Sequence, residues 1–326
     1  MRLLHFPRFE DAARFWAELN DTHKTGELTV DFETHVLLWD RFHGPRGYEL
    51  DLAVALDGER CVGIAPLVRS DVDPFGTPYW SLSDDFVNAR EYFCRPGDAA
   101  DFVRALPPHF TDDLSCFYVP ADASGFVTEP GRVIDLRDDR ESYLGSIGHG
   151  ARRNLRHVSR INGDVEAEFD DRVRWDELAE LIELRLLFWK SKRGGNDEGY
   201  ARYCADKTTG DLALMDRAAA MGKLIALYLR QGGRLVAANF AVRREADRVD
   251  DYLCLRDASV SLEPRSLGIL AIWHNMDRCR ALGIRYYDMS ACSAPYKDRL
   301  VNMESRFYRP PFALPEAGDA RSGGTR

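Results

Sequence analysis

The sequence predicts an α+β protein of two consecutive units, with mixed, largely antiparallel sheets flanked by helices. Three observations predict it. At roughly 150 residues per domain, 326 residues ask for about two domains, and 45% apolar with 11% aromatic side chains can fill two cores. Charge divides the chain near residue 140: residues 1–140 carry −12 and residues 141–326 carry +3, within a formal total of −9. Finally, helical and alternating apolar periodicities succeed one another along the chain, with turn residues between them.

The elements can be justified in order. Ala12, Phe15, Trp16 and Leu19 recur at helical spacing, so Glu10–Leu19 reads as a helix. Leu50–Leu56 and Cys61–Val68 read as strands, and Asp57-Gly58 between them supplies the positive φ of a tight hairpin. After turns and loop through Asp71–Pro78 and Pro107–Pro108, Ser115–Val119 and Arg132–Leu136 read as short strands. The second unit opens with helices at Glu141–Ile161 and Trp175–Trp189 around a strand at Val165–Phe169. A helical run near Asp211–Ala220 leads into a meander of Lys223–Arg230, Arg234–Arg243 and Asp250–Leu255, its first reversal at Gln231-Gly232-Gly233. The helix Ser266–Leu282 puts Ile269, Ile272, Trp273, Met276 and Cys279 on one face, and Gly283 caps it before the strand Ile284–Ser290. The final PEAGDARSGGTR is small and polar, the composition of a disordered tail. The expected division is therefore 1–140, 141–312 and a tail at 313–326.

Composition removes several classes. The apolar content excludes a disordered or fibrous chain, and the acidic balance argues against a general polyanion binder. Seven cysteines form no Cys-x-x-Cys pair and the eight histidines show no ligand spacing beside them, so reduced thiols and no metal are expected. The first residues turn acidic by Glu10, and no stretch approaches 18 uncharged apolar residues; a soluble, cytoplasmic protein with no membrane span is expected.

Helices, an antiparallel meander, then strand, helix, strand is the order of the GNAT acyltransferase core. Four stretches resemble its CelD-type and Fem-type branch, over roughly Ser142 to Leu300. They are Tyr143-Leu144 with Arg152-Arg153-Asn154-Leu155-Arg156 and Gly163; Leu184-Arg185 through Trp189 and Gly194; Ser266-Leu267-Gly268-Ile269-Leu270; and Tyr287-Asp288 followed by Tyr296-Lys297. The resemblance implies two tandem GNAT-like lobes, the first degenerate and the second carrying the acyltransferase site.

It also implies a donor seat. GNAT proteins place the pyrophosphate of acyl-CoA on backbone N–H groups at a helix N-terminus, behind a Gln/Arg-x-x-Gly-x-Gly/Ala loop. Here that loop is Arg265, Ser266, Leu267, Gly268 and Ile269, with Leu270 where the family has a small residue. Glycine lets the backbone approach the phosphates, and the helix dipole adds about 0.3–1 kcal/mol. The same residues admit a structural role, Ser266 as an N-cap and Gly268 as a close-packing residue.

The resemblance further places Arg153 and Asn154 near the donor or acceptor cleft, on a helix where Arg152, Arg156 and Arg160 also lie; such a face also reads simply as solvated. Aminolysis of a thioester needs a neutral amine, a stabilised oxyanion and a proton for the leaving group. Asp288 is the candidate to orient or deprotonate the acceptor, Tyr296 to protonate the leaving group, and Lys297 to stabilise the oxyanion or bind a phosphate. Against these stand an ion-paired Asp288 and a packed Tyr296. Asn239, in the otherwise apolar Val236–Val242, is a further candidate to face the cleft.

The function expected is transfer of an acetyl or other acyl group from acyl-CoA to an amine of a small-molecule or sugar-type acceptor. An aminoacyl-tRNA-dependent transferase of Fem type is the alternative with another donor. The −12 of the first half argues against an RNA body there, since RNA binding rests largely on phosphate contacts. A non-catalytic binding module is the alternative from another class.

Overall fold

A computed structural model of the chain describes residues 1–23, 28, 30–69, 79–82, 93–95, 98, 101–102, 105–106, 127–137, 139–192, 198–260, 266–289, 295–303 and 306–309. The first half opens with β1 (Arg2–Phe6), α1 (Phe9–His23) and α2 (Phe32–Leu38), the last running into a π-helical and a 3₁₀ turn over Trp39–Arg46. Strands β2 (Glu49–Asp57), β3 (Arg60–Arg69), β4 (Tyr79–Ser81) and β5 (Phe93–Cys94) follow. They form an antiparallel sheet in the order β1-β2-β3-β4, with β5 also on β3. The expected hairpin is β2–β3, and Gly58 takes its turn at φ +64°. Ser115–Val119 and 313–326 lie outside the described residues.

The chain goes on through β6 (Val127–Pro130) and β7 (Val133–Asp135) into α3 (Arg140–Ser146), α4 (His149–Ile161), β8 (Val165–Asp170), α5 (Trp175–Lys192) and α6 (Glu198–Ala220). The meander β9 (Leu224–Gln231), β10 (Arg234–Glu245) and β11 (Arg248–Arg256) comes next, then α7 (Leu267–Ala281), β12 (Tyr286–Asp288), α8 (Pro295–Leu300) and β13 (Arg306–Arg309). The second sheet runs β7-β12-β11-β10-β9-β8, and among the described residues only β11 and β12 pair in parallel. β7, which precedes the charge boundary at residue 140, adds a strand to this sheet, and β13 pairs with β6.

Two elements depart from the periodicity. The helix read over Glu141–Ile161 is two helices, because Ile147 is extended (φ −102°, ψ 161°) and buries its side chain beside Tyr143 and Leu144. Gly145, Gly148 and Gly150 weaken a continuous helix by about 1 kcal/mol each relative to alanine, so the break follows composition that apolar spacing overlooks. In contrast, α6 starts at Glu198 rather than near Asp211. Its Thr208 and Thr209 hydroxyls bond the carbonyls of Cys204 and Ala205 at 2.8 and 3.1 Å, and Lys207 pairs with Asp211 at 2.9 Å. The short β1 and α8 carry too few residues for a period to show.

One core joins the halves. Trp16 and Leu19 of α1, Leu38 of α2 and Val54 of β2 are continuous with Leu178 of α5, Met215 of α6 and Phe240 of β10. A second core, between α7 and the other face of the second sheet, holds Ile225, Ala241, Val249, Trp273 and Tyr287. At the junction, Arg217 of α6 grips Asp31, the N-cap of α2, through two bonds of 2.9 and 3.0 Å, while Asp31 also accepts from the Thr34 amide at 2.8 Å.

Beside it His35 is buried, its Nδ1 2.9 Å from the Asp31 carbonyl and its ring 5.3 Å from that of Trp16. Burial, which the Asp31 contacts only partly offset, pulls its pKa down to about 4. An unfolded chain therefore takes up a proton, as pH falls from about 6.5 to 4, that the folded chain refuses. Stability present above 6.5 should decline through this window by up to about 3 kcal/mol. Asp31 acts separately: burial raises its pKa, but Arg217 and Thr34 hold it below the ordinary carboxylate value, so its contribution is lost only at more acidic pH. Urea denaturation at pH 7 and pH 4.5 should show the decline in the wild type and a smaller one in His35→Leu; equal declines would assign it elsewhere.

Candidate active site

Where β11 meets β12 the sheet opens. Their parallel rows are Arg248↔Tyr286, Val249↔Tyr287 and Asp250↔Asp288, after which β12 ends and β11 continues to Arg256. The crossover between them is α7. A crevice beyond the carboxyl end of a parallel strand, where its neighbour departs, is the general position for ligands in such sheets. A bulge shapes it: Phe240 faces Leu253 but Ala241 faces Asp251, leaving Tyr252 as the extra residue. Val249 therefore packs with Asp251 on the α7 side, whereas Leu253 and Leu255 join the α5–α6 core.

The N-terminus of α7 stands at this opening. Ser266 holds a left-handed conformation (φ 43°, ψ 57°) and its side chain makes no capping bond. Its carbonyl accepts from the amides of Ile269 and Leu270 at 2.9 and 3.1 Å. The Ile269 amide thus closes the turn, while the Leu267 and Gly268 amides occupy the first turn, where a helix has no acceptor of its own. A left-handed residue followed by right-handed ones turns successive N–H groups into a concave anion seat, and the helix dipole reinforces it. A Cβ on Gly268 would stand 3.3 Å from Nη1 of Arg256, so that guanidinium lies beside the seat. Leu270 is buried against Val158 and Val165, directed into the core. Arg265 lies outside the described residues.

At the base of the opening, on the α7 face, is a polar network. Asp251 Oδ1 accepts from Asn239 Nδ2 at 3.1 Å and from the Tyr287 hydroxyl at 2.9 Å. Asn275 of α7 donates to the Asn239 carbonyl oxygen and lies 3.4 Å from the Tyr287 hydroxyl. Asn239, Asn275 and Tyr287 are fully buried, whereas Asp251 is only partly so. Burial raises the Asp251 pKa; the two hydrogen bonds and the charge of Lys297 oppose this without cancelling it. Burial likewise holds the Tyr287 phenol protonated and pushes the Cys254 thiol, across from Asn239, up to about 11, so it remains a thiol.

Asp288 faces the other way. On the α5–α6 side its Oδ2 lies 3.2 Å from Nη2 of Arg244, which also lies 3.3 Å from Asp250. All three are buried, with Asp288 only 1% exposed. Lys297 projects from α8 and donates to the Met289 carbonyl, and its charge lowers the Asp251 pKa. Tyr296, beside it in sequence, is 40% exposed. The short α8 is pinned by Arg132 to Asp298 at 2.9 Å and by the Tyr143 hydroxyl to the Leu300 carbonyl at 2.8 Å.

The structure therefore gathers Ser266, Leu267 and Gly268 at one end of the opening and Asn239 and Lys297 at its base, with Asp288 behind the sheet. It does not bring Arg153 and Asn154 there: both are exposed on the outer face of α4, opposite Ala151, Leu155 and Val158. Their neighbour Arg156 pairs with Glu141 at 2.6 Å. Asp251, Asn275 and Arg256 escaped the sequence reading. Asn275 carried the signal that had marked Asn239, a polar residue in an apolar run; Asp251 did not, because it follows Asp250 and looks like strand-edge solvation. Among the described residues no group of His, Cys, Asp and Glu is arranged to hold a metal ion, and no helix is long and apolar enough to cross a membrane.

Helices, a meander, then helix and strand is the element order of a GNAT domain, and a family model matches that part of the chain. Residues 149–298 match the family model described as an acetyltransferase (GNAT) domain. The match takes in the chain from α4 into α8 and leaves the first half outside it. No curated protein matches. Among solved structures, the chain is similar to the C-terminal domain of a protein assigned as a lysylphosphatidylglycerol synthetase from Agrobacterium fabrum. That likeness has 12% identity and a TM-score of 0.50, and covers 91% of this chain and 90% of that one. A tandem GNAT protein from the clavulanic acid biosynthesis pathway aligns at 12% identity over 94% and 97% of the two chains, with a TM-score of 0.48. FemX aligns at 9% identity over 95% and 96%, with a TM-score of 0.45.

Proposed function

We propose that the protein is an N-acyltransferase that moves an acyl group, acetyl or another, from acyl-CoA to the amine of a small-molecule or sugar-type acceptor in the cytoplasm. The observation that carries this reading is the left-handed Ser266 at the head of α7, set beside an opening floored by a buried polar network. A left-handed non-glycine residue costs about 1–2 kcal/mol, and such strain concentrates at ligand sites. Leu267 and Gly268 amides with Arg256 would hold the pyrophosphate, and the donor supplies the activated carbonyl.

In this reading the acceptor enters between the lobes of residues 1–140 and 141–312. Asp251, partly exposed and with a raised pKa, takes the proton from the attacking amine, the role expected of Asp288 from sequence. Asp288, tied to Arg244, instead holds the end of β12 as a positioning residue. Asn239, Asn275 and Tyr287 orient the Asp251 carboxylate, Lys297 stabilises the oxyanion, and Tyr296 returns a proton to the departing thiolate. Direct attack then needs no acyl-enzyme, in keeping with a Cys254 thiol that stays protonated.

Calorimetric titration with acetyl-CoA, longer acyl-CoAs and free CoA tests the donor. Micromolar binding is expected in the wild type and a loss of at least tenfold in Gly268→Asp, whose carboxylate would meet the phosphates. Absence of heat with every CoA, in a protein folded by circular dichroism, would overturn the donor and direct the search to aminoacyl-tRNA or a non-catalytic role.

A further inference from the structure

A cavity of about 400 Å³ lies on the α7 face of the second sheet, at the end of α7 away from the donor seat. That volume is within the roughly 300–1,000 Å³ range of small-molecule sites. Three cationic side chains reach it from three segments: Lys223 before β9, Arg243 near the end of β10 and Arg278 in the last turn of α7. Two acidic residues also line it. The Asp170 carboxylate is bound by Nε of Arg174 at 2.7 Å, which leaves the exposed Asp171 as the acidic counterweight to three cations. The wall between the charges is apolar, made by Phe169, Ile225 and Leu282, and the Arg278 guanidinium lies 5.6 Å from the centre of the Phe169 ring.

The cavity is separate from the opening between β11 and β12. Ile225 in its wall faces Ala241, and Ala241 faces Asp251, so two strand spacings, about 10 Å, part the wall from Asp251. Ile272, Met276 and Cys279 of α7, all buried, pack within the same core. A molecule in the cavity therefore cannot present its atoms to a donor at the head of α7.

We propose that this cavity is a second ligand site, which takes a small organic dianion with an apolar body, a phosphomonoester or a dicarboxylate. Two guanidiniums and an ammonium meet the paired negative charges, with the forked N–H geometry of arginine suited to either oxyanion. Phe169, Ile225 and Leu282 cover the apolar body. The ligand touches the last turn of α7, at the end away from the donor seat.

Titration of the full chain with phenyl phosphate, phthalate and inorganic phosphate, by heat and by shift in melting temperature, tests the site. At least one of the two organic dianions should bind below 1 mM, order-of-magnitude as for other weak small-molecule sites, and about tenfold or more tightly than inorganic phosphate. The preferred one identifies the oxyanion. Exposed Arg278→Gln should weaken it about tenfold and Arg243→Gln with Arg278→Gln further, whereas Gly268→Asp or saturating acetyl-CoA should leave the site able to bind. Loss of binding in Gly268→Asp would place the anion in the donor seat and overturn the proposal. So would unchanged affinity in the double variant, or no binding of either organic dianion. Acetyl-CoA binding retained in Arg278→Gln keeps this outcome distinct from failure of the donor reading.

Discussion

Replacing Asp251 by asparagine should lower turnover by about 10²–10⁴-fold, the span of a positioned general base. The substitution keeps size and shape, and the Asn239 and Tyr287 donors keep an acceptor at Oδ1. Donor affinity should stay as in the wild type, because the seat at Ser266–Gly268 is built from α7 backbone. A thiol-release assay with acyl-CoA and a panel of amines gives kcat, KM and the pH profile. In the wild type the acidic limb should lie above the ordinary carboxylate range, because burial raises the Asp251 pKa, and Asp251→Asn should abolish that limb. Tyr287→Phe removes one of the two bonds to Asp251 and should shift the limb while reducing kcat less. Wild-type kcat and an unchanged limb in Asp251→Asn would return the role of base to another group.

Arg244→Met should destabilise the protein by about 3–5 kcal/mol, the usual consequence of removing one partner from a buried ion pair. Asp250 and Asp288 both lie within 3.3 Å of this guanidinium, so its loss leaves two neighbouring buried carboxylates without it. Asp288→Asn should be far milder, since Arg244 and Asp250 still face each other. The pair of variants separates structure from chemistry: in urea denaturation Arg244→Met should lower the midpoint strongly at pH 7. Asp288→Asn should lower kcat moderately, with a normal pH limb, if it holds β12 in place. An Arg244→Met midpoint equal to that of the wild type would remove the buried pair from the account.

Several features of the candidate site were legible in the chain because they are local. A glycine behind a serine at the head of an apolar-striped helix marks α7 and its N-terminus. The sparse polar residue in an apolar strand marks Asn239. Tyr296 and Lys297 were picked out by their likeness to a family pattern, and both lie on the short α8, where Lys297 donates to the Met289 carbonyl. The Arg153–Asn154 segment shows the limit of the same method: its motif is on α4, but the helix turns these two side chains to the outside while it buries Ala151, Leu155 and Val158.

The sequence by itself determined the β2–β3 reversal at Asp57-Gly58, the β9–β11 meander and the extent of α7. Turn chemistry and apolar period act over a few residues, and no distant contact is needed to express them. Only the tertiary structure decided which residues meet. Side chains alternate faces with a period of two, so the bulge at Tyr252 sends Asp251 toward α7 and Leu253 and Leu255 toward α5 and α6. It likewise put Asn239 and Asp288 on opposite faces, joined β7 to the second sheet, and brought Asn275, Tyr287 and Asp251 together from three elements. Those meetings depend on register and packing between segments far apart in the chain, and no window of sequence contains them.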